Sequence, residues 1–231
     1  MKTQNALDTS LLAEEQTAAN LSRRRFFKLA GGAAGAGILL AACHKDNNSN
    51  NGVNLGSGDV GILNYAYALE QLEAAFYTQV INSQYSGISS DEVALLTDIR
   101  DHEVAHREFF KAALGSSAIG ALSVNFSSID FSSRTSVLST AKAFEDLGVS
   151  AYNGAGRLIT SADYLLIAGK IVSVEARHAA YIRDLLTANS FAASDVVDAN
   201  GLDAEKSPAA VLAIAGTYIN TKIDASNLPN K

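Results

Sequence analysis

The stretch Val174-Glu175-Ala176-Arg177-His178-Ala179-Ala180-Tyr181 decides the fold. Glu175 and His178 lie three apart, so on a helix they share one face about one turn apart. That face is the inward one. Ala168, Ile171, Glu175, His178, Ile182 and Leu185 recur at alternating steps of three and four, the seam of a helix bundle. A carboxylate and an imidazole therefore stand where Leu or Ile would ordinarily pack. Burying them without partners costs several kcal/mol, so something must satisfy them. The device recurs at Glu103-Val104-Ala105-His106, in the seam Leu96, Ile99, Glu103, His106 and Phe110. Two such pairs, each in a long helical stretch, point to a metal.

Two further helices flank these. The first is expected over about 59–83, with seam Leu63, Ala66, Glu70, Glu73, Tyr77 and Val80. After a short loop, Ser89 or Ser90 caps the second, with Asp91 and Glu92 in its first turn, and Gly115 stops it. The short loop makes these two an antiparallel pair. Residues 116–133 break the periodicity yet hold Leu122, Val124, Phe126, Ile129 and Phe131, so they read as a long crossover that still packs apolar side chains. The third helix is expected over about 135–158, with seam Leu138, Ala141, Glu145, Gly148 and Tyr152, its end weakened by Gly154 and Gly156. The fourth runs from a Ser161 cap to about Thr187. A polar loop follows, then a short apolar helix over about 207–219 with Pro208 in its first turn, and a frayed end from Ser226. No segment has the period of a strand. The fold class is all-α: a four-helix bundle over 59–188, with its crossover between helices two and three, and a C-terminal extension over 189–231.

The two hairpins form an imperfect repeat. Glu70 and Tyr77 are offset by 75 residues from Glu145 and Tyr152, and Glu103 and His106 by 72 from Glu175 and His178. Two helices each supply one Glu, and two each supply Glu-x-x-His. The resulting metal-ligand set is Glu70, Glu103, His106, Glu145, Glu175 and His178, the set of di-iron and di-manganese carboxylate bundles. Carboxylates bridge hard cations, imidazole suits iron or manganese, and four negative charges offset most of the charge of two divalent ions. The expected cofactor is two iron or manganese ions. Glu73 aligns with Gly148 in the repeat, so it is assigned to an access path or to a hydrogen bond to a ligand. Tyr77 and Tyr152 are the candidate catalytic side chains, through bonds to ligand carboxylates or, alternatively, a redox role. His102 precedes Glu103 and is expected to point sideways, either bonding a ligand from behind or on the surface. Arg177 is expected on the flank, paired with an acid.

Residues 59–186 resemble the ferritin-like superfamily, and within it the bacterial group that includes desiccation-related proteins. The resemblance is carried by Leu69-Glu70-Gln71-Leu72-Glu73-Ala74-Ala75-Phe76-Tyr77, by both Glu-x-x-His pairs, by Glu145 with Tyr152, and by the tail Ser207-Pro208-Ala209-Ala210-Val211-Leu212-Ala213-Ile214-Ala215. It implies ferrous oxidation, peroxide reduction or catalase-like dismutation, with a small oxidant or metal ion as partner. It also implies an alternative: an envelope stress protein in which the bundle and any metal are structural. A homodimer is compatible with either. A hollow storage cage is disfavoured, because a lipid tether on every subunit would crowd a closed shell.

That tether is read from the N-terminus. Ser22-Arg23-Arg24-Arg25-Phe26-Phe27-Lys28 resembles the twin-arginine export signal, with Phe27 in place of the usual Leu. The apolar run 29–42 is shorter than the roughly 20 residues of a membrane span and suits a signal peptide. It ends Leu40-Ala41-Ala42-Cys43, which resembles the bacterial lipobox. The expectation is removal of residues 1–42, lipidation of Cys43, attachment to a membrane of the bacterial envelope on the periplasmic or cell-surface side, and a flexible tether over 43–58. The alternative is an ordinary free thiol. Cys43 is the only cysteine, so no disulfide can form within one chain. Of 18 basic and 24 acidic residues, residues 1–42 hold five and three, which leaves 13 and 21 and a net charge of −8. That charge argues against nucleic acid and against electrostatic docking on anionic lipid.

Overall fold

A computed structural model describes residues 52–230. The export motif, the 1–42 signal region and Cys43 lie outside the described residues. Four long helices dominate: α1 Gly58–Asn82, α2 Ser90–Leu114, α3 Arg134–Gly156 and α4 Ala162–Leu186. Each is preceded by a serine, and in three of the four its side chain satisfies a free backbone N–H group. Ser89 and Glu92 form a reciprocal capping box on α2, and the Ser133 and Ser161 hydroxyls accept from Ser136 and Tyr164 at the starts of α3 and α4. Helices α1 and α2 pack as one hairpin and α3 and α4 as the other. The chain is the expected four-helix bundle, with its crossover between α2 and α3 and a short C-terminal helix, α5 Pro208–Ala215, capped by Ser207. Among the described residues no helix is long and apolar enough to cross a membrane.

The first helix departs from a simple amphipathic pattern. Every residue from Gly61 to Ala74 is buried, not one stripe alone. The crossover covers its outer side through two polar side chains seven apart. Asn64 donates to the carbonyls of Leu55 and Ser117 (3.0 and 2.9 Å) and accepts from the Ile119 N–H, and Gln71 accepts from the Leu122 N–H at 2.9 Å. These bonds satisfy backbone groups that the loop would otherwise bury unpaired. The C-terminal tail then lies on the crossover, where the Asn125 N–H donates to the Tyr218 carbonyl and the Asn220 N–H to that of Ser123, each at 2.8 Å.

Three boundaries differ from expectation. Residues 53–58 belong to the fold, not to a tether: β1 Val53–Asn54 pairs in parallel with β2 Ile223–Asp224, and Leu55 is fully buried. The pairing joins segments 170 residues apart, which no local pattern encodes. The end of the chain is pinned for the same reason, with Leu228 packed against the core. The helix expected over 207–219 stops at Ala215 and tightens into a 3₁₀ turn, Gly216–Tyr218. Gly154 has a packing role. A Cβ there would lie 1.9 Å from the Lys206 carbonyl oxygen, because the tail crosses α3 at that point, with the Lys206 N–H bonded to the Ser150 carbonyl at 2.9 Å.

Candidate metal centre

One polar cluster occupies the middle of this apolar bundle. Glu70 from α1, Glu103 from α2, Glu145 from α3 and Glu175 from α4 are each 0% exposed, and His178 is 5% exposed. All six sequence-derived ligands converge. His106 Nδ1 lies 2.9 Å from Glu175, 3.5 Å from Glu70 and 3.6 Å from Glu103. His178 Nδ1 lies 2.9 Å from Glu103, 3.4 Å from Glu145 and 3.9 Å from Glu175. The donor atoms form two groups, Glu70, Glu103, His106 and Glu175, and Glu103, Glu145, Glu175 and His178, each with its atoms within 4.8 Å of one another. Glu103 and Glu175 belong to both.

The electrostatics of the cluster call for cations. Two carboxylates at such a separation repel by about 3–4 kcal/mol at an effective dielectric near 20. Burial raises Glu70 to about 7, against the pull of His106, and raises Glu145. Burial, followed by repulsion from Glu103, drives Glu175 well above the usual carboxylate range. Burial also works to raise Glu103, but the two imidazoles beside it outweigh that and hold it at about 2. Conversely, burial would lower the imidazoles, yet the surrounding carboxylates lift His106 to about 12 and His178 to about 10.

The cluster fits a metal. Glu70 Oε2, both carboxylate oxygens of Glu103 and of Glu175, Glu145 Oε2, and Nδ1 of His106 and His178 are buried without a hydrogen-bond partner, despite their short mutual distances. Unpaired buried polar atoms are rare in proteins. Here the donor atoms of each group crowd within 4.8 Å of one another, an arrangement that cations satisfy.

The supporting bonds follow the repeat. The Tyr77 hydroxyl of α1 donates to Glu145 Oε1 of α3 at 2.5 Å, and the Tyr152 hydroxyl of α3 donates to Glu70 Oε1 of α1. Each hairpin thus orients the single glutamate of the other. Glu73 belongs to neither donor group, although its carboxylate is buried; it fills the space left at Gly148, 3.2 Å from where a Cβ would sit. Burial and then repulsion from Glu175 raise it well above the usual range. Of its two expected places His102 takes the one behind a ligand, with Nδ1 3.0 Å from His178 Nε2 and the two rings parallel within 8°. Such a partner fixes the ring that presents Nδ1 inward.

One flank reading changes. Among the described residues Arg177 pairs with no acid: its guanidinium donates to the Ser173 carbonyl and hydroxyl on its own helix. Arg183, which no motif marked, is buried and clamps Asp146 at 2.7 and 2.8 Å and Asp195 at 3.0 and 2.9 Å. This clamp takes Asp146 outward and leaves its neighbour Glu145 facing the centre. An Asp-Arg-Asp trio split over three segments leaves no local signal.

Residues 58–188 match the family model of the ferritin-like domain. The chain belongs to the ferritin-like family. A comparison with curated proteins finds no match. The ferritin-like bundle of this chain carries buried carboxylate and imidazole groups able to hold metal.

Proposed function

We propose that this ferritin-like protein holds two iron or manganese ions between its hairpins and uses them for redox chemistry on dioxygen, peroxide or ferrous ion. The observation that carries the reading is the pair of donor groups sharing Glu103 and Glu175. Shared carboxylates are what a dinuclear site requires, and a single structural ion would need only one group. When bound, two such ions supply one electron each to a small oxidant. The chain's own residues supply the rest. Tyr77 and Tyr152 hold Glu145 and Glu70 in place and keep their phenolic protons, since burial and the adjacent carboxylates push both hydroxyls well above their usual range. His102 orients His178. The apolar seams above and below the cluster exclude bulk water, so charge changes at the centre are not screened.

The reading extends to location. The Arg23-Arg24 pair and the Leu40–Cys43 stretch support export, cleavage before Cys43 and attachment through its lipidated thiol. Export in the folded state suits a protein that receives its metal first. Replacing Cys43 with Ala should release the protein from membranes or block its processing. A variant that is cleaved and fractionates like wild type overturns the lipid anchor.

The chemistry is tested by loading the protein with ferrous ion or manganese and following dioxygen and peroxide over many turnovers. Consumption is expected, and it should vanish in Glu103→Ala and His178→Ala. If two ions bind but neither oxidant is consumed above the rate of these variants, the centre only holds the helices together.

A further inference from the structure

Beside the metal centre the bundle contains a cavity of about 30 Å³. Its floor includes Leu69, Phe110 and Tyr152, and its rim the half-buried Ala113, Tyr164 and Ile167. No charged side chain lines it. Tyr152 connects it to the cluster: its side chain lines the cavity, and its hydroxyl donates to Glu70. Phe110 stacks on the same ring, with centroids 6.4 Å apart and planes inclined by 29°. The contents of the cavity are thus one phenol ring away from a ligand carboxylate.

Size and polarity restrict the occupant. A site for one water needs about 10–15 Å³, so the cavity holds two or three water-sized positions, enough for a diatomic molecule or a xenon atom and too few for an alkyl chain. A predominantly apolar lining offers water few partners, and apolar cavities accept apolar guests. The Tyr65 hydroxyl, buried and unpaired among the lining side chains, offers a bond to one hydroxyl of hydrogen peroxide and leaves the other without a partner, a burial that is costly. Dioxygen brings no hydroxyl.

The geometry points to this cavity as a binding site for a dioxygen-sized apolar molecule, held against Tyr152 on the Glu70 side of the centre and admitted in preference to peroxide. The use of bound dioxygen rests on the redox reading above; the gas site itself does not.

Xenon is the probe for the site. In solutions of the metal-free full chain under xenon, the ¹²⁹Xe resonance should show saturable binding. Ala155→Leu, which fills the cavity from α3, should abolish it. Ala113→Phe, on the half-buried rim where a larger side chain is easily borne, should abolish it or slow exchange severalfold. Undiminished xenon binding in both variants overturns the proposal. With equal metal content confirmed, Ala155→Leu should slow oxidation of the ferrous-loaded protein by dioxygen severalfold and leave oxidation by peroxide unchanged. Equal slowing of both, or of neither, overturns the selective admission. If the wild-type loaded protein reacts with neither oxidant, the redox reading fails, and the xenon result decides the cavity alone.

Discussion

Replacing Glu103 with Ala should affect metal binding differently from replacing any unshared glutamate. Each donor group offers four ligands, and Glu103 and Glu175 count in both. Glu103→Ala reduces both groups to three. Glu70→Ala reduces only the first and Glu145→Ala only the second, each leaving one full group of four. Even disturbing a hydrogen bond to a metal ligand costs about 10–100-fold in affinity, and removing the ligand costs at least as much. For Glu103→Ala that factor applies at both positions, so filling both should weaken by about 10²–10⁴-fold at minimum. The geometry assigns one Glu103 oxygen to each side: Oε1 is 2.9 Å from His178 and Oε2 is 3.6 Å from His106. The assay is equilibrium dialysis against manganese, with metal counted per chain. Wild type should retain two ions, Glu70→Ala and Glu145→Ala one each at the same free metal, and Glu103→Ala none. A Glu103→Ala protein that keeps one ion as tightly as Glu70→Ala does would show that Glu103 serves a single position, and the dinuclear arrangement would fall.

Metal uptake should also release protons. In the metal-free protein His106 and His178 titrate near 12 and 10, so both imidazoles are charged at neutral pH, and each must lose a proton to expose its Nδ1 lone pair. Affinity for two ions therefore rises with pH between about 6 and 9, with a slope of about two logarithmic units per pH unit or more; proton release in weak buffer measures it, and a pH-independent affinity would refute the charge state. A separate expectation concerns packing. Gly154→Ala would place a methyl 1.9 Å from the Lys206 carbonyl and should destabilise the bundle by about 1–3 kcal/mol in urea unfolding. Gly156→Ala meets only Leu165 at 3.7 Å and should be neutral or stabilising, and equal effects at the two glycines would mean that the tail does not dock on α3.

Much of the bundle is legible in the chain because helices are local. The seams through Glu103, His106, Glu175 and His178 follow from spacing alone, and so do the serine starts of α2 and α4, since a cap and an i,i+3 pair lie within a single element. The repeat adds a long-range inference: equal offsets for Glu70 with Tyr77 and Glu145 with Tyr152 single out Glu70 over Glu73, and Glu70 is the one found in a donor group. What the sequence leaves open depends on how the helices are rotated and where distant segments meet. The stretch Gly61–Ala74 of α1 is buried on all sides with the crossover bonded to Asn64 and Gln71 along it. The segment at Val53 joins the fold through its pairing with Ile223. His102 reaches His178, each tyrosine bonds the glutamate of the opposite hairpin, and Arg183 draws Asp146 away from the centre, all through contacts between elements. Periodicity tells which face of a helix turns inward. Which side chain it meets there is set by the packing of the whole bundle, because that meeting depends on the relative rotation and height of two helices, and neither helix encodes these alone.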